Sequence, residues 1–337
     1  MNDTLSKKNL DDVAKLAGVS LSTVGRVLNE RGSVSAHNRK AVINAAKTLG
    51  LKRHLPSAIH GLLRIDLLMV ESDTDHFRKL TASFKQQAEL HRSRVVIQRM
   101  SWNDAKPEEL LTLIRNPITP RQALIVVAHD TPLVQSALQE QIAKGVSVVL
   151  LTSGVAELPD AIFVGIDNFQ AGRCAGRLLS NWLGHRNGDV LLMTNSLLFR
   201  AHQERVRGFL SVLNQRSTVV VTPPRECLDL DVHTSDFVRA SHATGSRIVG
   251  IYNTGGGSTG ISQALRKLDI RPAWVAHEQT TEHSNLLREG LLSVLIDQDP
   301  IGQAEAAIQY ILNVAGDVDT IVSTTRQLRI VLEEMLP

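Results

Sequence analysis

Aromatic residues are scarce in this chain: Phe, Tyr and Trp supply 4% of its 337 positions, so any core must be built mainly from Leu, Val, Ile and Ala. Cysteine is rarer still. Cys174 and Cys227 lie far apart with no CxxC or metal-ligand spacing, which excludes a disulfide scaffold and makes buried thiols in a reducing compartment the expectation. No apolar run reaches the roughly 18 residues that a membrane span requires. The opening MNDTLSKKNL lacks the apolar stretch of a secretory signal, so a cytoplasmic location is expected. Hydrophobic residues at 43% and charged residues at 21% suit a globular protein, and the length allows two or three domains.

What is present begins with an uneven distribution of charge. Residues 1–64 hold 11 Lys and Arg against 4 Asp and Glu, a net +7; the whole chain sums to +3, so the remainder carries −4. Within the basic segment, residues 9–29 run NLDDVAKLAGVSLSTVGRVLN. Leu10, Val13, Ala14 and Ala17 recur at the spacing of one helical face. Gly18 suits the left-handed backbone that ends a helix, and Ser20 suits the N-cap of the next. That second helix turns Val24, Val27 and Leu28 inward and Ser22, Thr23, Arg26 and Asn29 outward. Ser35 caps a third helix whose Val42, Ala45, Ala46 and Leu49 close a three-helix core, and Gly50 ends it. Two helices across so short a Gly-containing turn predict a helix-turn-helix that offers its second helix to the DNA major groove. The coincidence of basic charge with this unit is what phosphate neutralisation asks for.

Asp12-Val13-Ala14, Ala17-Gly18-Val19-Ser20, Thr23-Val24 and Arg26-Val27-Leu28-Asn29, followed by Val34-Ser35 and Leu49-Gly50, resemble the N-terminal signature of the lactose-repressor (LacI/GalR) family of bacterial transcription regulators. Gly25 stands where that family usually has serine. The resemblance implies double-stranded operator DNA as partner. Leu21, Ser22 and Arg26 are expected at base edges, with Arg26 offering paired donors to guanine, while Thr23 and Asn29 hold phosphates. One head covers few base pairs, so a homodimer on a two-fold operator is expected. In the family the linker, here residues 51–63, holds a hinge helix that wedges an apolar side chain into the minor groove. This chain lacks the family's Tyr-x-Pro-Asn, Pro56 comes later, and His60 stands at the wedge position with Ile59 and Leu62 as neighbours. Gly61 would weaken a helix by about 1 kcal/mol. A plain linker and a hinge in another register are both open.

From residue 64 the pattern alternates between strand and helix. Strands at 65–70, 94–98, 123–128 and 146–151 are separated by helices at 76–91, 103–115 and 132–143. After a strand at 162–166, a second series of strands (189–193, 218–221, 248–252, 274–276 and 293–296) alternates with helices (169–183, 201–214, 231–242, 258–268 and 281–289). A helix at 302–314 and a strand at 328–332 close the chain. Near-continuous Val, Ile and Leu strands in such succession predict an α/β fold of parallel sheets covered on both faces, with ligands at the carboxyl ends of the strands. The resemblance implies that 64–337 is a two-lobed periplasmic sugar-binding fold serving effector binding and dimerisation, behind a head of 1–50. Three crossings between lobes are expected, near Gly165-Ile166, near 296–299 and near 320–325.

The strand ends carry the candidate effector contacts. Phe77 is the aromatic candidate for stacking, in a Thr74-Asp75-His76-Phe77 stretch where the sugar-binding relatives often show Asn-Pro-Phe-Phe. Ser153 and Asp167 follow the fourth and fifth strands, Asn253 ends the 248–252 strand, and Glu278 ends the 274–276 strand, where relatives commonly carry aspartate. Arg205 matches the arginine that clamps the effector in many relatives, and Gln298 sits at a crossing where a related glutamine touches the ligand. Carboxylate, amide and a single guanidinium suit a neutral sugar or polyol, while His76 and Arg200 keep a sugar phosphate in view.

One motif points elsewhere. Gly255-Gly256-Gly257-Ser258-Thr259-Gly260 satisfies G-x-G-x-x-G between a strand and a helix, and Glu278 follows at a distance suited to a ribose hydroxyl, the pattern of a dinucleotide-binding oxidoreductase. The motif falls in the fourth strand–helix unit of its region, however, and no His/Asp or Ser/His/Asp set accompanies it. A tight turn or a close backbone approach to a ligand is the simpler reading. His277, Glu278 and His283 lie close together without zinc-like spacing. The expectation is a non-enzymatic regulator with no cofactor and no metal.

Overall fold

A computed structural model describes residues 2–29, 31, 34–51, 55–56, 61–215, 218–318 and 323–336. The head consists of α1 (Asn2–Ala17), α2 (Leu21–Leu28) and α3 (Ala36–Thr48). Gly18 takes φ +66° between α1 and α2. Ser20 Oγ accepts from the Thr23 N–H at 3.2 Å and Ser35 Oγ from the Asn38 N–H at 3.3 Å, so both expected serines cap their helices. Val13, Ala14, Val24, Val27, Leu28, Val42, Ala45 and Ala46 form the core. Leu49 does not join them: it is the C-cap of α3 and 46% exposed, because the buried face is centred one residue earlier and uses Ile43.

The first lobe is built from β1 (Leu63–Val70), α4 (Asp75–Leu90), β2 (Val95–Trp102), α5 (Pro107–Arg115), β3 (Ala123–Val126), α6 (Pro132–Ala143), β4 (Ser147–Leu151) and β5 (Ile162–Ile166). The second follows with α7 (Asn168–Leu183), β6 (Gly188–Thr194), α8 (Arg200–Leu213), β7 (Val219–Val221), β8 (Arg225–Glu226), α9 (Asp231–Ala243), β9 (Ile248–Asn253), α10 (Ser258–Leu268), β10 (Ala273–His277), α11 (Thr281–Arg288) and β11 (Val294–Asp297). Helix α12 (Pro300–Ala315) and the short β12 (Thr325–Arg326) return to the first lobe, and β13 (Arg329–Val331) ends in the second. The sheets are ordered β12-β5-β4-β3-β1-β2 and β13-β11-β10-β9-β6-β7, with β8 beside β6. Pairing is parallel except that β13 runs antiparallel along the edge of β11. Strands buried on both faces, as in β1 and β9, give the apolar runs their lack of alternation.

Two glycines set the geometry of the second lobe. A Cβ on Gly172 of α7 would lie 2.0 Å from the Arg205 carbonyl of α8, and one on Gly208 would lie 2.1 Å from the Phe169 carbonyl. The helices therefore meet backbone to backbone, which brings Arg205 against the start of α7.

The first two crossings fall where expected, between β5 and α7 and between β11 and α12. The third lies later than 320–325. Thr325 and Arg326 still pair with Gly165 and Ile166 in the first sheet, and the chain passes over between 326 and 329. The cause is a two-residue strand, too short for periodicity to reveal. In the linker, Ile59 and His60 lie outside the described residues. Leu62 is 44% exposed, and Gly61 takes a left-handed φ of +76° just ahead of β1.

Candidate functional site

The carboxyl ends of both sheets face a cavity of about 1170 Å³ between the lobes. Of the seven residues picked from sequence, Phe77, Ser153, Arg205, Glu278 and Gln298 line it, and Asp167 and Asn253 do not. Asp167 is exposed and caps α7, accepting from the Gln170 N–H at 2.8 Å. The residue after it, Asn168, is buried behind the cavity wall and accepts from Arg205 Nε. Asn253 is buried, and its amide donates to the Gly255 and Gly256 carbonyls at 3.0 and 2.7 Å, so it shapes the loop instead of presenting itself to the cavity.

Arg205 anchors the floor. It is 2% exposed, with Nε donating to Asn168 Oδ1, Nη1 to the Thr254 carbonyl and Nη2 to Gln298 Oε1, each at 2.8 Å. Burial lowers its pKa, yet guanidinium stays charged, and its two remaining N–H donors are available to a ligand. Gln298 passes the polarity on by donating from Nε2 to Glu278 Oε1. Across the cleft, Glu278 Oε2 lies 3.2 Å from His76 Nδ1. Burial opposes ionisation of Glu278, but His76, Gln298 and Arg205 outweigh it and hold the carboxyl below its ordinary range. Glu278 itself sits at φ +73°, a strained backbone for a side chain that must point into the cleft. Phe77 packs partly on the first core and meets the His76 ring edge-on at 5.3 Å.

Sequence reasoning missed three groups. Asp229 lines the cavity, accepting from the Gly256 N–H at 2.6 Å and from Asn195 Nδ2 at 2.7 Å. Desolvation pushes its carboxyl up to about 6. Leu228 and Asp229 are consecutive non-glycine residues at φ +54° and +57°, strain that a helix-start pattern before α9 does not announce. His202, hydrogen-bonded to Thr254 Oγ1 at 2.8 Å, is pushed down to about 3 by burial and by Arg205, so its ring is neutral. Phe199, preceding α8, also lines the cavity.

The glycine-rich loop has an internal explanation. A Cβ on Gly255 would lie 2.4 Å from Asp229 Oδ1, one on Gly257 2.7 Å from Thr234, and one on Gly260 1.9 Å from the Asp231 carbonyl. The glycines let the loop lie against residues 229–234, and they are spent on packing. Of the two simpler readings, the tight turn is what this packing shows, while Gly255, Gly256 and Gly257 also line the cavity. Arg200, the other phosphate candidate, pairs with Glu204 at 2.8 Å and faces Asp130 at 3.6 Å. The cavity wall carries eight carboxylate side chains against three guanidinium groups, a poor match to a phosphate.

On the head, Leu21 is 43% exposed, Ser22, Arg26 and Asn29 are exposed, and Thr23 is partly so, all on the side of α2 opposite Val24, Val27 and Leu28. Ser22 and Thr23 hydroxyls each lie 2.9 Å from Ser20 Oγ, which ties the helix start to its cap.

This architecture is a DNA-binding type of head joined to a periplasmic-binding-protein fold. Residues 65–317 match the periplasmic binding protein domain and residues 9–53 the bacterial regulatory proteins of the lacI family. The chain belongs to the periplasmic binding protein domain family, and it carries a lacI-family DNA-binding domain as its head. Similar proteins include the HTH-type transcriptional regulator DegA of Bacillus subtilis, 25% identical over 215 residues (62% of this chain and 61% of DegA). The HTH-type transcriptional repressor PurR of Klebsiella pneumoniae is 29% identical over 217 residues (61% of this chain and 60% of PurR). The matched stretch thus spans less than two thirds of these relatives. Among solved structures, the glucose-galactose binding protein GanP of Geobacillus stearothermophilus superposes with a TM-score of 0.73 at 18% identity, covering 82% of this chain and 99% of that one. A solute binding protein from Burkholderia graminis in complex with D-arabinose also gives 0.73 at 15% identity, covering 82% and 97%. These last two speak to the fold.

Proposed function

We propose that the chain is a transcription regulator whose affinity for operator DNA changes when a neutral sugar or polyol binds between its lobes. The head (1–50) reads DNA through Leu21, Ser22 and Arg26 and holds phosphates through Thr23 and Asn29. The linker (51–63) transmits, and 64–337 binds effector and pairs two chains in a cytoplasmic homodimer. Arg205, Glu278, Gln298, Ser153 and Phe77 contact the effector. The observation that carries this reading is the continuous polar floor from Asn168 through Arg205 and Gln298 to Glu278 and His76, which spans both lobes at their junction. A ligand bridging that floor binds one arrangement of the lobes better than another, and this differential affinity is the coupling free energy available to the heads.

The test combines a thermal-shift screen against sugars, polyols and sugar phosphates with retardation of DNA selected from a random pool. A sugar or polyol that raises the melting temperature and also shifts the DNA-binding curve is the expected result. Stabilisation by a nicotinamide dinucleotide instead, or no DNA selected at all, would overturn the proposal.

A further inference from the structure

Phe199 belongs by chain to the second lobe and by packing to the first. It precedes α8, whose Val206, Phe209 and Leu213 lie in the second lobe's core, yet its own ring is 5% exposed within the core of the first. There it meets the His129 ring at 4.6 Å and lies 6.3 Å from Trp102. His129 is fixed from behind by Asp104 Oδ1 at 2.5 Å, and Trp102 donates its indole N–H to the Val127 carbonyl at 3.2 Å. Both socket rings are therefore tethered from outside the socket. Backbone and side-chain bonds flank the ring on both sides: the Asp130 N–H donates to the Leu198 carbonyl at 2.7 Å, and the Ala201 N–H to Ser153 Oγ at 3.2 Å. Two further contacts join the lobes: Lys79 Nζ donates to the Gln279 carbonyl and His76 faces Glu278.

We infer that Phe199 is a latch, a side chain of one lobe plugged into an aromatic socket of the other, which holds the lobes together by the protein's own contacts. Opening the cleft requires withdrawing a buried aromatic ring into water and stripping the Asp130–Leu198 backbone bond, both of which disfavour the open arrangement. The inference rests on the proposed role of the cleft and adds how that site is regulated. The resting equilibrium favours the closed lobes, so an effector is felt by the heads to the extent that it relieves or reinforces the latch. Removing the ring should shift the ratio of closed to open molecules by about tenfold or more toward open.

The experiment measures a distance and needs neither effector nor operator. Spin labels are placed at the exposed sites Ala82→Cys on α4 and Asn285→Cys on α11, in a Cys174→Ala background; Cys227, 1% exposed, stays unlabelled. The full-length protein is dialysed extensively and checked by native mass spectrometry for a co-purified small molecule. The expected result is one narrow distance distribution at the closed spacing, moved to longer distances by Phe199→Ala and part of the way by Phe199→Leu. A ligand-free wild type already at long distances overturns the latch, and so does a folded Phe199→Ala with the wild-type distribution. If circular dichroism shows Phe199→Ala unfolded, the wild type and Phe199→Leu decide by the same criteria. Failure here leaves the DNA and effector assignments standing, whereas a latch that holds in a protein binding no sugar would refute the effector assignment alone.

Discussion

The head takes its whole candidate reading surface, Leu21, Ser22, Thr23, Arg26 and Asn29, from one eight-residue helix and its cap, while the cleft joins Thr152 to Gln303 across 151 positions at 2.8 Å and Arg205 to Gln298 across 93. The first surface is exposed, carries net positive charge around it, and depends on its neighbours only for presentation. The second is desolvated, acidic at its walls, and each polar group in its floor is held by another. In a local site a substitution costs about what its own contact contributes; in a buried network it also strands every partner. The sharpest way to test that contrast is to compare damage in the two places.

The largest effect is expected from Arg205→Leu. It leaves Asn168 Oδ1, the Thr254 carbonyl and Gln298 Oε1 without their common donor and removes a charge that holds Glu278 ionised. A loss of about 3–5 kcal/mol in urea unfolding is expected, with any sugar-induced thermal shift abolished. A loss below about 1 kcal/mol would mean that the floor is not a network.

Next in size is the response to acid. His202, His277 and His283 are all held below the ordinary imidazole range, first by burial, so the unfolded chain takes up protons below about pH 6.5 that the folded chain refuses. Their contribution is present above that pH and is lost as pH falls. Asp229 works in the opposite sense: with its carboxyl raised to about 6 by desolvation, the folded state binds the proton first and gains stability as pH falls from 6 toward the ordinary value of 3.8. Urea midpoints between pH 8 and 5 should therefore fall on acidification, less steeply in His202→Asn and more steeply in Asp229→Asn. Parallel curves for all three proteins would contradict the assignment.

The same contrast explains what the sequence made legible. Helical periodicity and cap residues act within a few positions, so Gly18, Ser20, Ser35 and the inward Val24, Val27 and Leu28 could be read directly, and only the terminal Leu49 was misplaced. Strand–helix alternation is also local, which is why both lobes and two crossings stood out, while the two-residue β12 shifted the third. Site residues at strand ends were found to the extent that position alone decides. Asp167 and Asn253 have the right chemistry at the right ends, yet each turned to its nearest backbone partner, a helix start and a glycine loop. Asp229 and Phe199 were invisible because their roles come from backbone strain and from a socket contributed by residues near 102 and 129.

Arg26→Ala should sit third. The side chain is exposed, with Nε only 3.4 Å from the Ser22 carbonyl, so stability should change little, while discrimination between selected and unselected DNA should fall by about 1–3 kcal/mol in competition retardation assays. Equal loss on all sequences would reassign it to phosphate contact.

The smallest expected effect bears on the head alone. Gly25 lies inside α2 at a helical φ, and a Cβ built there meets nothing within 4 Å. Glycine in such a position costs about 0.5–1 kcal/mol relative to alanine through backbone entropy, with no close packing in return. Gly25→Ala should therefore slow hydrogen exchange of the α2 amides by roughly twofold to fivefold and leave the lobes' exchange unchanged, since a gain of that size in a local opening equilibrium has no route into the distant floor. If protection also rose around Arg205, the head and the cleft would be one cooperative unit, and the separation between local and networked sites would have to be withdrawn.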